Sequence, residues 1–268
     1  MKDVAEITKK LEQGVEQMFN SEEFGRYLTF MAKFHNYSVN NCILIWMQKP
    51  DATLVAGYKA WQNKFKRQVK KGEKGITILA PCSRKYKKMV EDEDGRQVER
   101  EFSYTTFRAT SVFDVSQTDG EDLPSICNEL DGSVEGYADL IERLEKIAPV
   151  PVVFEEIGGG AKGYFREGKI AIRQGMSEAQ TVKTMVHEIT HAMLHKKGGE
   201  QAEADRHEKE VQAESVAYTV CSYLGIDTSE YSFGYVTGWS KGKKAKELTA
   251  SIEVIRRTAS QIIDGIAA

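Results

Sequence analysis

The sequence predicts an α+β protein made of two domains, residues 1–124 and 125–268. Three observations support this division. In the first half, apolar residues at helical spacing are followed by residues that alternate as in strands. In the second half, predicted helices lie on both sides of a short predicted hairpin. A polar, turn-forming segment at 117–124 separates the two halves. A chain of 268 residues is long enough for two domains that each bury a core.

The N-terminal domain is predicted to begin with helices and to continue with strands. Helices are expected at residues 3–18, 21–35, 38–48 and 56–65. Pro50 ends the third helix, because proline lacks the amide hydrogen that a helix needs. After the glycine-containing turn at 72–75, strands are expected at residues 76–81, 85–90, 98–107 and 109–116.

The C-terminal domain is predicted to place helices around a small sheet. The expected elements are a helix at 133–147, a strand at 150–155, a hairpin at 163–173 and helices at 179–195, 208–218 and 243–266. Ser177 and Gln180 have the spacing of a capping box, which marks the start of the helix at 179–195. That helix contains no glycine or proline and carries an apolar stripe, which is typical of a buried helix.

The pattern most informative about function is His187-Glu188-Ile189-Thr190-His191, within this helix. Residues four apart in an α-helix project from one face, so both histidines can hold one Zn²⁺. Glu188 is then the candidate catalytic base, since a carboxylate beside the metal can take a proton from bound water whose pKa the Zn²⁺ lowers. A pair of structural histidines is the alternative, and the capped, buried helix favours the metal site.

A catalytic zinc site has three protein ligands and one open position, so a third ligand is expected downstream. Leu194 and Lys197 stand where a metzincin would have glycine and histidine, which excludes that class. The next predicted helix carries Glu210 and Glu214 one turn apart on one face, and spacing leaves both open. The pair resembles the arrangement in thermolysin-like peptidases, which implies that Glu210 is the metal ligand and that Glu214 orients a ligand histidine.

Three further residues near the motif have candidate roles. Tyr235, or Tyr231 in the same aromatic segment, could donate a hydrogen bond to the oxyanion formed when a peptide carbonyl is attacked, and Tyr235 is the candidate catalytic residue. Core packing is the commoner role for such aromatics. His195 shares a helix face with His191, and we expect it to pack or hydrogen-bond rather than bind the metal.

Composition indicates a globular protein of the cytoplasm. Hydrophobic residues make up 41% of the chain and charged residues 29%, with a net charge of −3. The four cysteines are widely spaced, which predicts neither a disulfide framework nor a cysteine zinc site. Residues 1–12 are polar and charged, unlike a secretory signal, and the longest apolar run is too short to span a bilayer.

Basic residues are concentrated between positions 59 and 88, where eleven lysines and arginines accompany a single acid, Glu73. Such a stretch is either a nucleic-acid surface or a solvated charged face, and charge alone does not separate the two. The candidate phosphate contacts are Lys66, Arg67, Lys70, Lys71 and Lys74, and the candidate base-stacking rings are Tyr58 and Trp61. Helical spacing makes core packing at least as good an interpretation for the two rings.

Several short stretches occur in a fixed order and resemble one family. These are residues 37–45, 48–57, Trp61, 69–76 and 112–117. They are similar to the N-terminal domain of ArdC-type antirestriction proteins, which implies an α+β domain that binds single-stranded DNA. The half with the histidines resembles the zincin-like metallopeptidase domain that follows in that family, and ImmA/IrrE-type peptidases. The resemblance implies a conjugative-element or phage setting.

Two functions of different classes therefore follow. The first is an antirestriction protein that binds single-stranded DNA and uses a Zn²⁺ peptidase domain to hydrolyse peptide bonds of a protein substrate. The second is a non-catalytic DNA-binding protein whose zinc centre is structural. Glu188 favours the first, because a structural site needs no acid/base carboxylate beside its metal.

Overall fold

The computed structural model describes residues 6–9, 11, 15, 21–91, 97–121, 123, 134–166, 168–226, 239–241 and 243–268. The chain divides into two compact units, one formed by residues 1–11 and 43–121 and the other by residues 12–42 and 122–268. Helices and strands are mixed along the chain, which confirms the predicted α+β class. The chain passes into the second unit within the polar segment predicted as a linker.

The second unit takes in a helix that the sequence assigned to the first half. Helix α1 (Ser21–Lys33) packs against α6 (Arg206–Tyr223), far along the chain. Its apolar face is fully buried, including Phe24, Tyr27, Leu28 and Met31. The first unit therefore lacks residues 12–42 and 122–124 of the predicted domain 1–124. Burial of the apolar face of α1 places that helix in the second unit.

The first unit is built on a three-stranded antiparallel sheet in the order β1-β4-β3, next to a two-stranded ribbon of β2 and β5. Its elements are the end of α2 (Val39–Gln48), β1 (Val55–Gly57), α3 (Tyr58–Asn63), β2 (Arg67–Val69), β3 (Ile76–Glu91), β4 (Gln97–Asp114) and β5 (Thr118–Gly120). Strand β1 pairs with β4 only at residues 112–114, so β3 and β4 continue beyond it as a two-stranded hairpin.

This hairpin is longer and simpler than the predicted strands. The sequence predicted separate strands at 76–81 and 85–90 and at 98–107 and 109–116, whereas the structure has two continuous strands. Pro81 lies within the ladder, opposite Phe107, and does not end the strand. Strand β3 lies at the edge of the sheet, where proline is tolerated because an outward-facing position donates no ladder hydrogen bond.

The core of the first unit lies between α3 and the sheet. Trp61 is fully buried, contacts Phe65 at 4.9 Å between ring centroids, and donates its indole N–H to the carbonyl oxygen of Phe113 at 2.8 Å. At the next residue of β4, the buried carboxylate of Asp114 accepts hydrogen bonds from the backbone N–H groups of Thr53 and Leu54. These bonds satisfy polar groups that burial would otherwise destabilise.

The second unit places helices against a small mixed sheet of order β6-β8-β7, in which β6 is parallel and β7 antiparallel to β8. Besides α1 and α6, it contains α4 (Val134–Ile147), β6 (Val152–Glu155), β7 (Gly163–Arg166), β8 (Lys169–Arg173), α5 (Glu178–Thr190) and α7 (Ala245–Ala267). Within the ranges described above, no helix is both long and apolar enough to cross a membrane.

Helix α6 is the centre of this unit and packs against α1, α5 and α7. Its buried side chains are mostly small, including Ala213, Ser215 and Ala217, which lets neighbouring helices approach closely. Asp205 caps the start of this helix by accepting the backbone N–H of Glu208 at 2.8 Å.

Replacing Trp61 by alanine should destabilise the first unit strongly. The change removes the largest buried side chain of this core and leaves the Phe113 carbonyl without its indole donor, so we expect a loss of about 3–5 kcal/mol in the free energy of unfolding. Urea unfolding followed by circular dichroism measures it. Tyr58→Ala on the same short helix, where the ring is half exposed, is the matched control and should cost about 1 kcal/mol or less. Equal stability of the two variants would contradict this account of the core.

Candidate metal centre

Helices α5 and α6 bring together the three side chains that the sequence proposed as metal ligands. His187 lies in the last turn of α5, His191 begins the π-helical turn that follows, residues 191–195, and Glu210 lies on α6. One ligand atom from each side chain lies within 4.8 Å of the other two. The sequence predicted a regular helix through residue 195, and the structure instead widens its last turn, as π-turns at functional sites often do.

The separations fit a small tetrahedral cation. The Nε2 atoms of His187 and His191 are 3.0 Å apart, and the Glu210 carboxylate oxygens lie 3.5 Å and 3.8 Å from them. Ligand atoms about 2.0–2.1 Å from a tetrahedral Zn²⁺ are about 3.3 Å from each other. Two imidazoles and one carboxylate are also the donor types of a catalytic zinc site. The residues therefore fit a divalent cation with one position left open.

Hydrogen bonds behind the imidazole rings orient their lone pairs. His187 Nδ1 lies 3.2 Å from the Glu214 carboxylate, to which it donates. His195 donates from Nε2 to the side-chain oxygen of Gln212 at 2.9 Å, so in the neutral ring its Nδ1 accepts. His191 Nδ1 lies 2.8 Å from His195 Nδ1 and must therefore carry the hydrogen of the bond between the two rings. Both Nε2 atoms thereby face the same point, where a bound cation would take the place of a proton.

Charges around the pair favour a cation. Burial lowers the pKa of His187, but the carboxylates of Glu210 and Glu214 outweigh it and raise that pKa to about 9. Hydrogen bonding to the two histidines holds the pKa of Glu210 far below its ordinary value. Burial lowers the pKa of His195 to about 4, which keeps this ring neutral at pH 7, as its hydrogen bonds require. The centre therefore has an excess of negative charge for a metal ion to balance.

Glu188 is buried between α5 and the edge strand β7. Burial raises the pKa of its carboxyl group, while the nearby His187 and, more weakly, the backbone N–H of Phe165 lower that pKa. Gly163 allows this close approach, since a Cβ atom there would lie 2.7 Å from Thr184 Cγ2 and 3.2 Å from Glu188 Cγ. Sequence reasoning missed Gly163, and the only signal was a glycine at the start of a predicted strand.

A cleft of about 450 Å³ opens beside the three candidate ligands. It is lined by His187, Arg206, His207, Glu210 and Glu214. Glu214 also forms an ion pair with Lys183 on α5, with 2.8 Å between Nζ and the carboxylate oxygen. His207 is exposed at the start of α6. Tyr235, the candidate catalytic tyrosine, lies outside the described residues.

The predicted DNA-binding residues of the first unit divide into three groups. Tyr58, Lys66, Lys71 and Lys74 are exposed, and Lys71 and Lys74 line a cleft of about 990 Å³. Trp61 is fully buried, so the prediction that it stacks on a base is wrong.

Arg67 and Lys70 hold the β2–β5 ribbon together. The Arg67 guanidinium donates to the side chain and carbonyl of Thr118, at 2.8 Å and 3.0 Å, and to the carbonyl of Gly120. Lys70 donates to the carbonyl of Ser116 at 3.1 Å. Both side chains are therefore engaged in the fold, which leaves them less free for phosphates than their sequence pattern suggested.

Two family descriptions match this chain. Residues 3–113 match the N-terminal domain of anti-restriction factor ArdC, and residues 146–260 match the IrrE N-terminal-like domain of the M78 peptidases. The chain combines an ArdC-type N-terminal domain with an M78-type domain. The match confirms the resemblance drawn from the short stretches of the N-terminal half and from the histidine motif.

Known proteins similar to this ArdC-type chain cover it almost entirely. An uncharacterized protein of Bacillus anthracis, pXO2-81, is 28% identical over 98% of the chain, which spans about half (51%) of that relative's length. The Mn(II)-bound crystal structure of the antirestriction ArdC protein from plasmid R388 is 17% identical, with a TM-score of 0.53 over 99% of both chains. Its metal-free structure is 19% identical, with a TM-score of 0.51 over 86% of this chain and 85% of that one. At these identities the likeness concerns the fold.

Metal affinity should depend most on Glu210. In this ArdC-type chain Glu210→Gln removes a charged oxygen that faces both Nε2 atoms. Glu214→Gln alters the hydrogen bond behind His187 and the ion pair with Lys183, and should weaken binding about 10–100-fold. Competition with a chromophoric zinc chelator measures both. Glu203→Gln, in the exposed turn before α6, is the control of equal charge. If Glu214→Gln lost more affinity than Glu210→Gln, the ligand assignment would be reversed.

Proposed function

We propose that this ArdC-type chain is a zinc-dependent peptidase of a mobile genetic element that acts against a protein substrate in the cytoplasm, and that its first unit binds single-stranded DNA. One observation carries the peptidase proposal. The Nε2 atoms of His187 and His191 and the carboxylate of Glu210 converge beside a buried glutamate, Glu188, at the edge of a sheet.

Zinc is the metal that this donor set favours. Catalytic zinc sites commonly combine two histidines and one carboxylate and leave a fourth position open. Imidazole nitrogens bind Zn²⁺ more tightly than Mn²⁺ at a site of the same geometry. The R388 protein, whose structure is described as Mn(II)-bound, supports the wider inference that such proteins bind a divalent cation.

The residues around the centre divide the work of peptide hydrolysis. When bound, the cation polarises the scissile carbonyl and makes water more acidic. Glu188 takes a proton from that water and returns it to the leaving amine, because it is a carboxylate beside the open side of the His187 and His191 pair. Glu214 and His195 hold the two imidazoles in the required orientation through their Nδ1 atoms.

The outer edge of β7, which pairs with no further strand among the described residues, supports an extended peptide as the substrate. Lys162 accepts a hydrogen bond from Arg173, so residues 162, 164 and 166 pair with β8 and the main-chain groups of Gly163 and Phe165 point away from it. Glu188 lies beside this edge, since a Cβ atom on Gly163 would lie 3.2 Å from Glu188 Cγ. A substrate strand added along this edge would therefore run past the catalytic carboxylate.

The alternative, a structural metal in a DNA-binding protein without catalysis, accounts less well for Glu188. A structural site closes all four metal positions with protein ligands, whereas only three candidate ligands converge within the described residues. The fold also keeps a glutamate buried beside them, at an electrostatic cost that a purely structural site does not require.

Glu188→Gln should abolish proteolysis while preserving metal content and fold. Glutamine has the same shape as glutamate but cannot accept a proton from water at neutral pH, so we expect a loss of at least about 100-fold in the rate. Proteomics of new protein termini in cells that express the wild type or the variant identifies the cleaved sites.

Glu178→Gln is the matched control, because it makes the same chemical change at an exposed position in the first turn of α5. The same set of new termini is expected from this control and from the wild type. If Glu188→Gln also produced that set, Glu188 would have no part in the cleavage. If the wild type produced no termini beyond those of cells without the protein, the non-catalytic alternative would hold.

DNA binding by the first unit is supported by its exposed basic residues. Lys66, Lys71 and Lys74 are all exposed, and two of them line the cleft of about 990 Å³ that Gln48 also borders. Lysine side chains in such a position can neutralise phosphates without reading the base sequence. The matching family description is that of an anti-restriction factor's N-terminal domain, which fits a nucleic-acid partner.

Binding of a labelled oligothymidine by the full chain should weaken linearly on a log–log plot against salt, with a slope of about −0.7 per neutralised phosphate. Replacing Lys66, Lys71 and Lys74 together by glutamine should flatten the slope if they contact phosphates. The control replaces Lys146, Lys196 and Lys197, exposed residues of the second unit, and should leave the slope unchanged. Fluorescence anisotropy measures the affinity, and a wild type without affinity at low salt would remove DNA binding from the function.

A further inference from the structure

The hairpin of β3 and β4 carries most of the exposed apolar side chains of the described chain. Seven large apolar residues are exposed among all the residues that the structure describes. Five of them lie on this hairpin: Tyr86, Met89, Phe102, Tyr104 and Phe107. A two-stranded ribbon has no core of its own, so exposure of aromatics on it needs a physical reason.

The register of the ladder sorts the hairpin side chains onto two faces. Residues opposite each other share a face, as do residues two apart along a strand. The pairs Arg84 with Tyr104, Tyr86 with Phe102 and Lys88 with Arg100 therefore form one row of six side chains. We call this row the aromatic–basic face.

The aromatic–basic face combines stacked rings with cations that pair with no described acid. Tyr86 stacks on Phe102 at 5.6 Å and meets Tyr104 edge-on at 5.8 Å between centroids, and the three rings are between 37% and 51% exposed. Its three cations, Arg84, Lys88 and Arg100, are exposed and form no ion pair with any residue that the structure describes.

The opposite face of the same hairpin is electrically compensated. Lys85 pairs with Glu101 at 2.7 Å and Lys87 pairs with Glu99 at 2.8 Å. Glu91 also belongs to this row, so the described acids of the two-stranded part of the hairpin, beyond the pairing of β4 with β1, all lie on that face. The acids at 92–94 lie outside the described residues. The sequence gives both faces similar numbers of basic residues, and only the register separates paired from unpaired charge.

We propose that the aromatic–basic face of the β3–β4 hairpin is the surface on which single-stranded DNA lies, with bases stacked on Tyr86, Phe102 and Tyr104 and phosphates beside Arg84, Lys88 and Arg100. This rests on the proposed binding of single-stranded DNA and moves its main contact away from residues 58–74. Charge complementarity selects the occupant, because a strand of phosphates matches a face with three cations and no described acid. Exposed rings accept any base, so binding is indifferent to sequence.

Cross-strand packing of the three rings also stabilises the hairpin, and the test has to separate that role from stacking on bases. The triple variant Tyr86→Ile, Phe102→Ile and Tyr104→Val keeps strand-forming side chains that pack across the ribbon but cannot stack on a base. In the full-length chain this variant should bind a labelled oligothymidine at least about tenfold more weakly than the wild type, with unchanged circular dichroism and zinc content.

A matched pair of variants tests the cations. Arg84→Gln with Lys88→Gln removes two charges from the aromatic–basic face, and Lys85→Gln with Lys87→Gln removes two from the same strand on the opposite face. The first pair should flatten the salt dependence of binding by about 1.4 in log–log slope, and the second should leave it unchanged. Both alter the net charge equally, so long-range electrostatics cannot produce the difference.

The outcomes distinguish failure of this proposed site from failure of the proposed binding of single-stranded DNA. If the wild type binds DNA and the variants of the aromatic–basic face bind equally well, the face is not the DNA site although DNA binding holds. If the wild type does not bind, both fail. If the wild type self-associates in sedimentation, the aromatic variant is monomeric and DNA binding is unchanged, then the face is an interface between copies of this chain and the proposal is overturned.

Discussion

The packing of α5 against α6 is the constraint on which the candidate centre depends. His187 and His191 come from the end of one helix and Glu210 from the other, so no segment of the chain forms the donor set alone. Small side chains on α6 let the two helices approach closely. Burial of the surrounding apolar faces therefore holds three polar ligand groups together before any cation binds.

That arrangement persists because polar groups behind the donors are satisfied in turn. Glu214 accepts a hydrogen bond from His187 and forms an ion pair with Lys183. Gln212 accepts a hydrogen bond from His195, which in turn accepts one from His191. Each link fixes which ring nitrogen carries the hydrogen, and both Nε2 atoms are left to face the cation. The same helix contact thus determines the position and the chemical state of the donors, and it sets Glu188 against the edge strand β7.

The exposed strand edges and faces of the two units differ in what covers them. In the first, the amide of Gln48 donates to the carbonyl of Thr77 and accepts its N–H, which covers part of the outer edge of β3. Farther out, the hairpin leaves one face with paired charges and the other with rings and cations. In the second, the outer edge of β7 borders the candidate centre. Exposed strand surface occurs in both units at the places to which we assign binding.

The sequence by itself determined the α+β class, the helix with the two histidines and Glu188, and the family, because these depend on short-range periodicity and on motifs of fixed spacing. Tertiary structure decided which of Glu210 and Glu214 faces the two Nε2 atoms, that Trp61 is buried and that Arg67 braces a strand pair. Tertiary structure also decided that α1 packs against α6. It decided as well which charged side chains of the hairpin form ion pairs. These outcomes depend on contacts between residues distant along the chain, and a local pattern records which side chains are apolar or charged but not what they meet.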